Sequence, residues 1–299
     1  MKNKYSLLAI GAGVFWGTMG FFRRSLEEIG LSAMGVIIVR CFFAAVIFAA
    51  VMLIVDRKAF KIKLRDAWVF LGCGILSLLV FGWCYFKAMD YMSLSAAAIL
   101  LYTAPFFVIL MSAPLFKEKI TGMKLLAMCL AFAGCCLVSG IGGGGHITAA
   151  GFFLGIGSGV CYALYSIFSR FAINRGYSTF TINFYACLLA VIGAIIIDGG
   201  GAFKIAFSSG SNLLFAAATG LITCFTPYYL YTKSLQGLEN GKASIMASVE
   251  PVVATIVGLI AYHEKPTLMS LAGIILVLSA IVLLNIKKAE PWAPSHREE

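Results

Sequence analysis

Long apolar runs separated by short polar segments dominate the chain. A helix needs roughly 20 residues to cross the hydrocarbon core of a bilayer, and ten runs approach that length. The predicted spanning segments are 5–22, 33–55, 66–88, 94–116, 121–140, 148–170, 178–198, 211–233, 241–262 and 267–286. The pattern therefore predicts an all-α polytopic membrane protein with ten transmembrane helices.

The chain matches itself when it is shifted by 146 residues, without a gap. The identical pairs include Gly13 and Gly159, Arg24 and Arg170, Gly30 and Gly176, Lys87 and Lys233, Pro105 and Pro251, and Glu118-Lys119 and Glu264-Lys265. Two fused copies of one hydrophobic unit are typical of membrane transporters, whose pseudo-symmetric halves move around a central site. We therefore predict one five-helix repeat over 1–145 and a second over 146–299, joined by the flexible glycines 142–145.

The basic residues predict the orientation of these segments. With the N-terminus in the cytoplasm, 17 of the 23 Lys and Arg lie inside, as expected from the bias of Lys and Arg toward cytoplasmic loops. Both termini are then cytoplasmic and the chain is a multi-pass protein of the cell membrane. Because each repeat has an odd number of spans, the second repeat enters the membrane upside down. The predicted fold is two inverted-topology five-helix repeats.

Composition excludes several classes of function. Hydrophobic residues make up 61% of the chain and charged residues 12%, too little polar surface for a soluble globule. The net charge of +10 would suit a nucleic-acid partner, but the cations lie in short segments between apolar runs, so we predict none. The nine cysteines contain no CxxC and are interpreted as small buried hydrophobes. The lipid bilayer is the expected partner, and the first apolar run is interpreted as a retained span.

Two charges lie inside predicted spans, where a charge needs a reason. Arg40 lies about four residues from the centre of its span, and Glu250 lies near the midpoint of the ninth, directly before Pro251. One interpretation has Arg40 binding a substrate carboxylate through its two-pronged donor geometry and Glu250 meeting an ammonium group or a proton. The alternative pairs the two side chains with each other, or with backbone carbonyls, as a structural tie.

Pro105 and Pro251 occupy the middle of the fourth and ninth spans. Each proline removes a backbone donor, which leaves the carbonyl four residues earlier (Leu101 and Ala247) without its usual partner. In a membrane such a carbonyl must face a cavity, water or a neighbouring helix. The prolines are therefore candidates for coupling or gating, or else for kinks that only shape packing.

Further candidates are polar and aromatic side chains at matched positions within the spans. As substrate-binding residues we predict Trp16, Arg40, Tyr102, Tyr162, Asn183, Tyr228 and Glu250. Their rings and hydroxyls suit a small, partly apolar metabolite. Glu118 and Glu264 end two equivalent helices and are interpreted as ties or gates at opposite membrane faces.

Enzymatic chemistry finds no support in the sequence. The three histidines lie in loops or at a helix end, so no metal site is predicted. The glycine run 142–145 lacks the Lys-Ser/Thr of a phosphate-binding loop, and no catalytic motif appears in a usable context. We predict no enzyme activity, no metal and no cofactor.

Several motifs, in order and duplicated, resemble the drug/metabolite transporter superfamily, in particular its ten-helix EamA-type members. They are Gly-Val-Phe-Trp-Gly at 13–17, Arg-Cys-Phe-Phe-Ala at 40–44, Tyr-Phe-Lys-Ala at 85–88, Pro105 with Glu118-Lys-Ile-Thr121, and Glu250-Pro251 with His263-Glu264-Lys-Pro-Thr267. The resemblance covers essentially the whole chain. It implies a monomer with a central cavity lined by helices 1–4 and 6–9, and export of amino acids or related small-molecule metabolites.

Three functions remain open from the sequence. The first is a secondary transporter that exports amino acids or related small metabolites by alternating access. The second is a proton-coupled exporter of drugs or organic cations, with Glu250 exchanging a proton for the cation. The third is a membrane protein that does not transport, such as a lipid-modifying enzyme or a scaffold.

Overall fold

The computed structural model describes residues 2–139, 148–263 and 267–286, and across these ranges the regular structure is helical. Nine helices in this part of the chain are long and apolar enough to cross a membrane, and Gly122–Val138 is a shorter apolar helix. In chain order they are α1 Lys4–Glu28, α2 Ala33–Val55, α3 Leu64–Ala88, α4 Ala96–Phe116, α5 Gly122–Val138, α6 Ala149–Asn174, α7 Thr179–Asp198, α8 Gly210–Ser234, α9 Asn240–Tyr262 and α10 Leu268–Asn285. The ten-helix prediction is confirmed. The glycine joint at 142–145 lies outside the described residues.

Serine and threonine caps set most of the helix starts. The side chain before a helix accepts a hydrogen bond from the third backbone N–H, which satisfies one of the donors that a helix start leaves free. Ser32 accepts from Gly35, Thr121 from Lys124, and Ser178 from Thr181, at 2.9, 3.2 and 3.1 Å. Because these caps lie at the border of polar and apolar sequence, the predicted starts agree with the structure to within a few residues.

Two helices are longer than predicted at their C-terminal ends. The prediction ended the first helix at 22 and the sixth at 170, whereas α1 continues to Glu28 and α6 to Asn174. The extension of α1 is an amphipathic turn in which Arg23 and Glu27 form an ion pair of 2.7 Å one turn apart. Hydropathy marks the hydrocarbon layer, but a helix continues beyond it wherever polar side chains pair along its surface.

The two repeats pack through equivalent helix pairs. α1 packs against α8 and α9 of the second repeat, and α6 packs against α3 and α4 of the first. α2 packs against α7, and α5 against α10, so each of these helices meets its own duplicate. At the α5–α10 crossing, a methyl group added to Gly134 would lie 2.7 Å from the carbonyl oxygen of Gly273. The halves are therefore interlocked, with α3, α4, α8 and α9 around the centre.

Irregular backbone is duplicated along with the helices. The α4 helix is interrupted at Tyr102–Thr103 and α9 at Ser248–Val249, 146 residues further on. The α3 and α8 helices contain π-helical stretches at Gly72–Val80 and Leu221–Phe225. Lys117 and His263, which follow α4 and α9, both have φ of 55°. Interrupted and π-helical segments are frequent at functional sites, and here they surround the centre of the bundle.

Candidate functional site

A chamber of two parts, lined mainly by apolar surface with a few polar groups, lies beside the interruptions of α4 and α9. Its first part has about 310 Å³ of empty space, including space open to solvent, and is lined by Leu101, Tyr102, Ala104, Pro105, Tyr162, Ser244, Ala247, Ser248 and Glu250. Its second part has about 230 Å³ and is lined by Trp16, Ser77, Tyr162, Tyr165, Ser166, Tyr228 and Tyr231. Tyr162 lines both parts. We call the two parts together the central chamber.

Close glycine contacts accommodate the carbonyls that the prolines release. A side chain on Gly13 of α1 would collide with the carbonyl oxygen of Ala247, the residue four before Pro251. Equivalently, a methyl group on Gly159 of α6 would lie 3.0 and 3.5 Å from the carbonyl oxygens of Leu100 and Leu101. Of the three environments the sequence left open, the structure supplies a neighbouring helix. The glycines allow backbone to approach backbone where a side chain would hold the helices apart.

Aromatic rings build the wall of the second part. The ring of Trp16 meets those of Tyr162, Tyr228 and Tyr231 at centroid distances of 5.9, 5.2 and 5.4 Å. The first two contacts are edge-to-face, an arrangement that aromatic quadrupoles favour. Trp16, Tyr162 and Tyr231 come from α1, α6 and α8, so the wall depends on both repeats.

Arg40 lies beside this wall, and its hydrogen bonding is incomplete. Its guanidinium donates to the Met19 sulfur and to the Thr223 carbonyl, each at 3.4 Å. This distance is ordinary for a bond to sulfur but long for an N–H···O bond. The Nε of Arg40 is buried without a hydrogen-bond partner. Thr223 lies in the π-helical stretch of α8. A guanidinium offers five N–H donors, so Arg40 keeps capacity for an anionic ligand.

Glu250 begins the second part of α9 and lines the first part of the central chamber. Within the described ranges it forms no ion pair with Arg40 at 4.0 Å or less. The two side chains therefore form no direct ion pair in this conformation. Arg40 lines neither part of the chamber and donates to the Thr223 backbone carbonyl instead.

Asn183 lies behind the chamber wall. Its side chain accepts a hydrogen bond of 2.5 Å from the Tyr165 hydroxyl and donates one of 2.8 Å to the Thr179 carbonyl. Thr232 completes the network with a contact of 2.7 Å to Tyr165. Asn183 is 1% exposed and lines neither part of the chamber. The geometry makes Asn183 a support for Tyr165, while Tyr102, Pro105, Tyr162 and Tyr228 line the chamber directly.

Sequence reasoning missed several lining residues. Ser77, Ser166, Tyr231 and Ser244 contribute polar atoms to the chamber. Tyr231 could have been found, because it is the duplicate of Tyr85. Single serines within apolar runs carry no comparable signal, since a serine in a membrane helix commonly bonds to its own backbone. Ser77, for example, donates to the Gly72 carbonyl at 2.8 Å.

One end of the bundle is closed by a buried arginine. Arg170 at the end of α6 is fully buried and donates to the carbonyls of Leu235 and Leu238 and, at 2.8 Å, to Asn240 Oδ1. Glu118, which follows α4, contacts the same 235–241 loop. Its carboxylate accepts hydrogen bonds from the N–H groups of Asn240 and Gly241 at 2.7 and 3.3 Å. We call Arg170, Glu118 and the 235–241 loop the arginine latch. It joins the first repeat to the second.

The carboxylate of Glu118 caps the first turn of α9. Burial raises the pKa of Glu118, and its bonds to the two backbone N–H groups and the nearby charges of Arg170 and Lys124 oppose that shift. Lys124 itself forms an ion pair of 2.7 Å with Glu239. The interpretation of Glu118 as a tie at a helix end thus agrees with contacts that cross between the repeats.

The equivalent arginine at the opposite face has different surroundings. Arg24 is exposed, and its guanidinium lies 4.1 Å from the centre of the Tyr262 ring. Glu264, the duplicate of Glu118, lies outside the described residues. Pro251 is buried at the start of the second part of α9. The two arginines, although matched in the repeat, therefore lie in different surroundings.

A duplicated ten-helix bundle with a chamber between interrupted helices defines a membrane transporter. The chain belongs to the EamA-like transporter family, whose profile matches residues 3–140 and 149–286. The Bacillus subtilis uncharacterized transporter YxxF is 28% identical over 283 residues, which cover 92% of this chain and 87% of that protein. The Salmonella typhimurium uncharacterized inner membrane transporter YicL is 23% identical, with coverage of 95% and 96%.

A solved crystal structure has the same fold. It superposes with a TM-score of 0.81 at 17% sequence identity and covers 96% of this chain and 98% of its own. The family match thus supports a membrane transporter.

Proposed function

We propose that this protein is a secondary transporter that exports amino acids or related small metabolites by alternating access. The observation that carries the proposal is the position of Arg40 and Glu250. Glu250 lines the central chamber. Within the described part of the chain, Arg40 lies near enough to interact electrostatically with Glu250 and Tyr228, forms no direct ion pair with Glu250, and has a buried Nε without a hydrogen-bond partner. A zwitterion has a carboxylate for the guanidinium and an ammonium group for the carboxylate. Its side chain would lie on the rings of Trp16, Tyr162 and Tyr228.

The buried Nε of Arg40 supports a carboxylate ligand in particular. An unsatisfied buried donor costs free energy, of order 1–3 kcal/mol and more for a charged group. A ligand carboxylate at the guanidinium edge would remove that cost with two parallel hydrogen bonds. The ordered but incomplete bonding of Arg40 to Met19 and Thr223 keeps that edge in place.

The unequal ends support alternating access. The latch at Arg170 seals one end, while its duplicate Arg24 is exposed at the other. In an inverted repeat, exchange of the conformations of the two halves produces the opposite state. We propose that Arg24 then takes the buried position against the carbonyls of Met89 and Met92, the duplicates of Leu235 and Leu238. Glu264 would cap the start of α4 as Glu118 caps α9.

The proposed orientation follows the positive-inside distribution, with both termini cytoplasmic and the protein in the cell membrane. In that orientation the latch at Arg170 is the cytoplasmic gate, and the conformation described here is closed to the cytoplasm. The proposed unit is the monomer, because one chain supplies every wall of the central chamber.

The second candidate function is proton-coupled export of drugs or organic cations. It is favoured by the isolation of Glu250, whose carboxylate has no ion-pair partner at 4.0 Å or less among the described residues. A carboxylate that binds either a proton or a cation exchanges one for the other, because loading one expels the other. Arg40 argues against a purely cationic substrate, since it places a like charge beside the same chamber.

Counterflow in proteoliposomes separates the two functions. Vesicles preloaded with an amino acid, an amine, a nucleoside or a sugar are tested for exchange with the labelled compound outside. We expect exchange for amino acids and little for amines that lack a carboxylate. Exchange of amines alone would favour the second candidate. Exchange of none of the compounds, by protein that remains folded, would contradict both substrate classes.

A further inference from the structure

The connection between α2 and α3 is strongly basic, and its cationic side chains are exposed. Five cations occur within nine residues, and all five side chains are exposed: Arg57, Lys58, Lys61, Lys63 and Arg65. Among the ion pairs of the described residues, none involves these five. We call residues 57–65 the basic platform. A basic loop alone is accounted for by membrane topology, so the case for a site depends on its structure.

The backbone of the basic platform is held in one shape. The Thr181 hydroxyl donates to the Ala59 carbonyl at 2.8 Å, and the Tyr185 hydroxyl donates to the Phe60 carbonyl at 2.7 Å. The N–H of Lys63 donates to the Tyr177 hydroxyl at 3.0 Å. These partners belong to the start of α7 and the turn before it. Topology requires only charge, and a flexible loop would supply it, whereas this loop is ordered by side chains of the second repeat.

Side chains along the platform alternate in direction. Phe60 and Ile62 are partly buried, and the Phe60 ring lies 5.2 Å from that of Phe184. Lys61 and Lys63 between and after them are exposed. The anchoring of the apolar side chains therefore fixes the lysines on the outer face.

Both neighbouring acids are engaged within the structure. Asp56 accepts from the N–H of Lys58 at 2.9 Å, at the start of the turn. Asp66 is buried and accepts from the Tyr177 hydroxyl at 2.7 Å and from Arg175 at 3.1 Å. Asp66 is thus engaged on the inner side, and Asp56 is the one neighbouring carboxylate that is exposed with the five cations. The platform therefore keeps a net positive charge.

Exposed apolar side chains border the platform. Ile54, one residue before the end of α2, is 85% exposed, and Leu64 at the start of α3 is 89% exposed. Trp68, one turn further, is also exposed, and the guanidinium of Arg175 lies 5.0 Å from its ring centre. Tryptophan is enriched at the interface of the bilayer. Because the platform joins the ends of two helices long enough to span a membrane, we expect its cations near the lipid headgroups.

We propose that the basic platform is a binding site for anionic phospholipids, with Lys58, Lys61 and Lys63 contacting the headgroup phosphate and Leu64 contacting the acyl chains. Membrane-apposed clusters of Lys and Arg bind anionic lipid electrostatically. Here the cluster is ordered, and an apolar anchor adjoins it. The site lies outside the central chamber, so lipid binding there does not depend on which substrate is transported.

The test is lipid retention by the whole protein in nanodiscs of phosphatidylcholine with a small fraction of phosphatidylglycerol. Mass spectrometry of the purified protein measures the bound phosphatidylglycerol relative to the bulk ratio. We expect enrichment for the wild type and an affinity about 100-fold lower for Lys58→Gln/Lys61→Gln/Lys63→Gln. The corresponding triple substitution to arginine should retain the enrichment.

The matched control removes three other lysines of the same predicted membrane face: Lys4→Gln/Lys117→Gln/Lys233→Gln. It should retain phosphatidylglycerol like the wild type. Equal loss in the control, or full retention in the platform variant, would overturn the site, because the effect would then follow total charge alone or be absent. Should the triple glutamine variant not fold, Lys61→Gln alone should weaken retention about fivefold, and unchanged retention would overturn the proposal.

Discussion

Arg170 and Arg24 occupy equivalent positions 146 residues apart, yet only Arg170 is buried. Arg170 donates to backbone carbonyls, whereas Arg24 is exposed and its guanidinium lies over the ring of Tyr262. Residues that are matched in the repeat thus have opposite environments. Their flanking sequences differ, because Arg24 is followed by the acidic pair Glu27-Glu28 and Arg170 by Ile173-Asn174. The burial of Arg170 comes from its contacts with the 235–241 loop.

Replacement of the buried arginine should open the closed end. Arg170→Met leaves the carbonyls of Leu235 and Leu238 without their donor, and each hydrogen bond to a charged group contributes about 1.5–3 kcal/mol. We expect a single cysteine at Leu238, a side chain that is 5% exposed, to react at least about tenfold faster with a polar thiol reagent in this variant.

Arg24→Met is the matched control for the latch. It removes the same charge at the equivalent position, which is already exposed here. The cysteine at Leu238 should then react no faster than in the unsubstituted background. Equal acceleration by both substitutions would mean that the label reports general loosening and not the opening of one gate.

Glycine contacts at the interrupted helices should be intolerant of a methyl group. Gly13→Ala would push α1 away from the Ala247 carbonyl, and overpacking of this kind typically costs about 1–3 kcal/mol. Gly20→Ala, on the same helix with no atom within 4 Å of the added methyl, should be neutral or stabilising, because alanine favours helix over glycine. Melting temperatures of the two variants in detergent provide the comparison. A similar melting temperature for both would contradict close packing at Gly13.

The pH dependence of stability should contain a contribution from Glu118. Because burial raises its pKa in the folded protein, its contribution to stability is complete below the ordinary carboxyl range and is lost as pH rises through the raised value. Relative to Glu118→Gln, the wild type should therefore be most stable in acid, and its advantage should shrink toward neutral pH. Glu27→Gln, at an exposed site, serves as the control. An advantage that grows with pH would show that the backbone and cationic partners outweigh burial.

Much of the fold could be predicted because its signals are local. Apolar length indicates each span, and Ser32, Thr121 and Ser178 place caps where polarity changes. The duplication pairs Pro105 with Pro251, and the structure places interruptions of α4 and α9 beside both. The amphipathic extension of α1 was missed because hydropathy does not report helix that leaves the hydrocarbon layer.

The site was less predictable because its geometry is set by contacts between the repeats. The sequence predicted Asn183 as a substrate-binding residue. In the structure its side-chain amide forms hydrogen bonds with Tyr165, Thr179 and Thr232 instead. The repeat matches Arg170 with Arg24 but does not indicate that one is buried and the other exposed. The burial of Arg170 depends on the 235–241 loop, which is distant along the chain.

The most direct measurement is the effect of Arg40→Gln and Glu250→Gln on substrate selectivity in proteoliposomes. Glu250→Gln keeps the shape of the side chain and removes its charge, whereas Arg40→Gln removes the charge and shortens the side chain. Arg40→Gln should lose amino acids and retain any amine lacking a carboxylate, while Glu250→Gln should lose both amines and pH-dependent exchange. Glu27→Gln should exchange like the wild type. If Glu250→Gln is destabilised and Arg40→Met restores its stability, the two charges are instead a structural pair. Full, pH-dependent exchange of amino acids by both charge-removing variants would contradict a substrate site between Arg40 and Glu250.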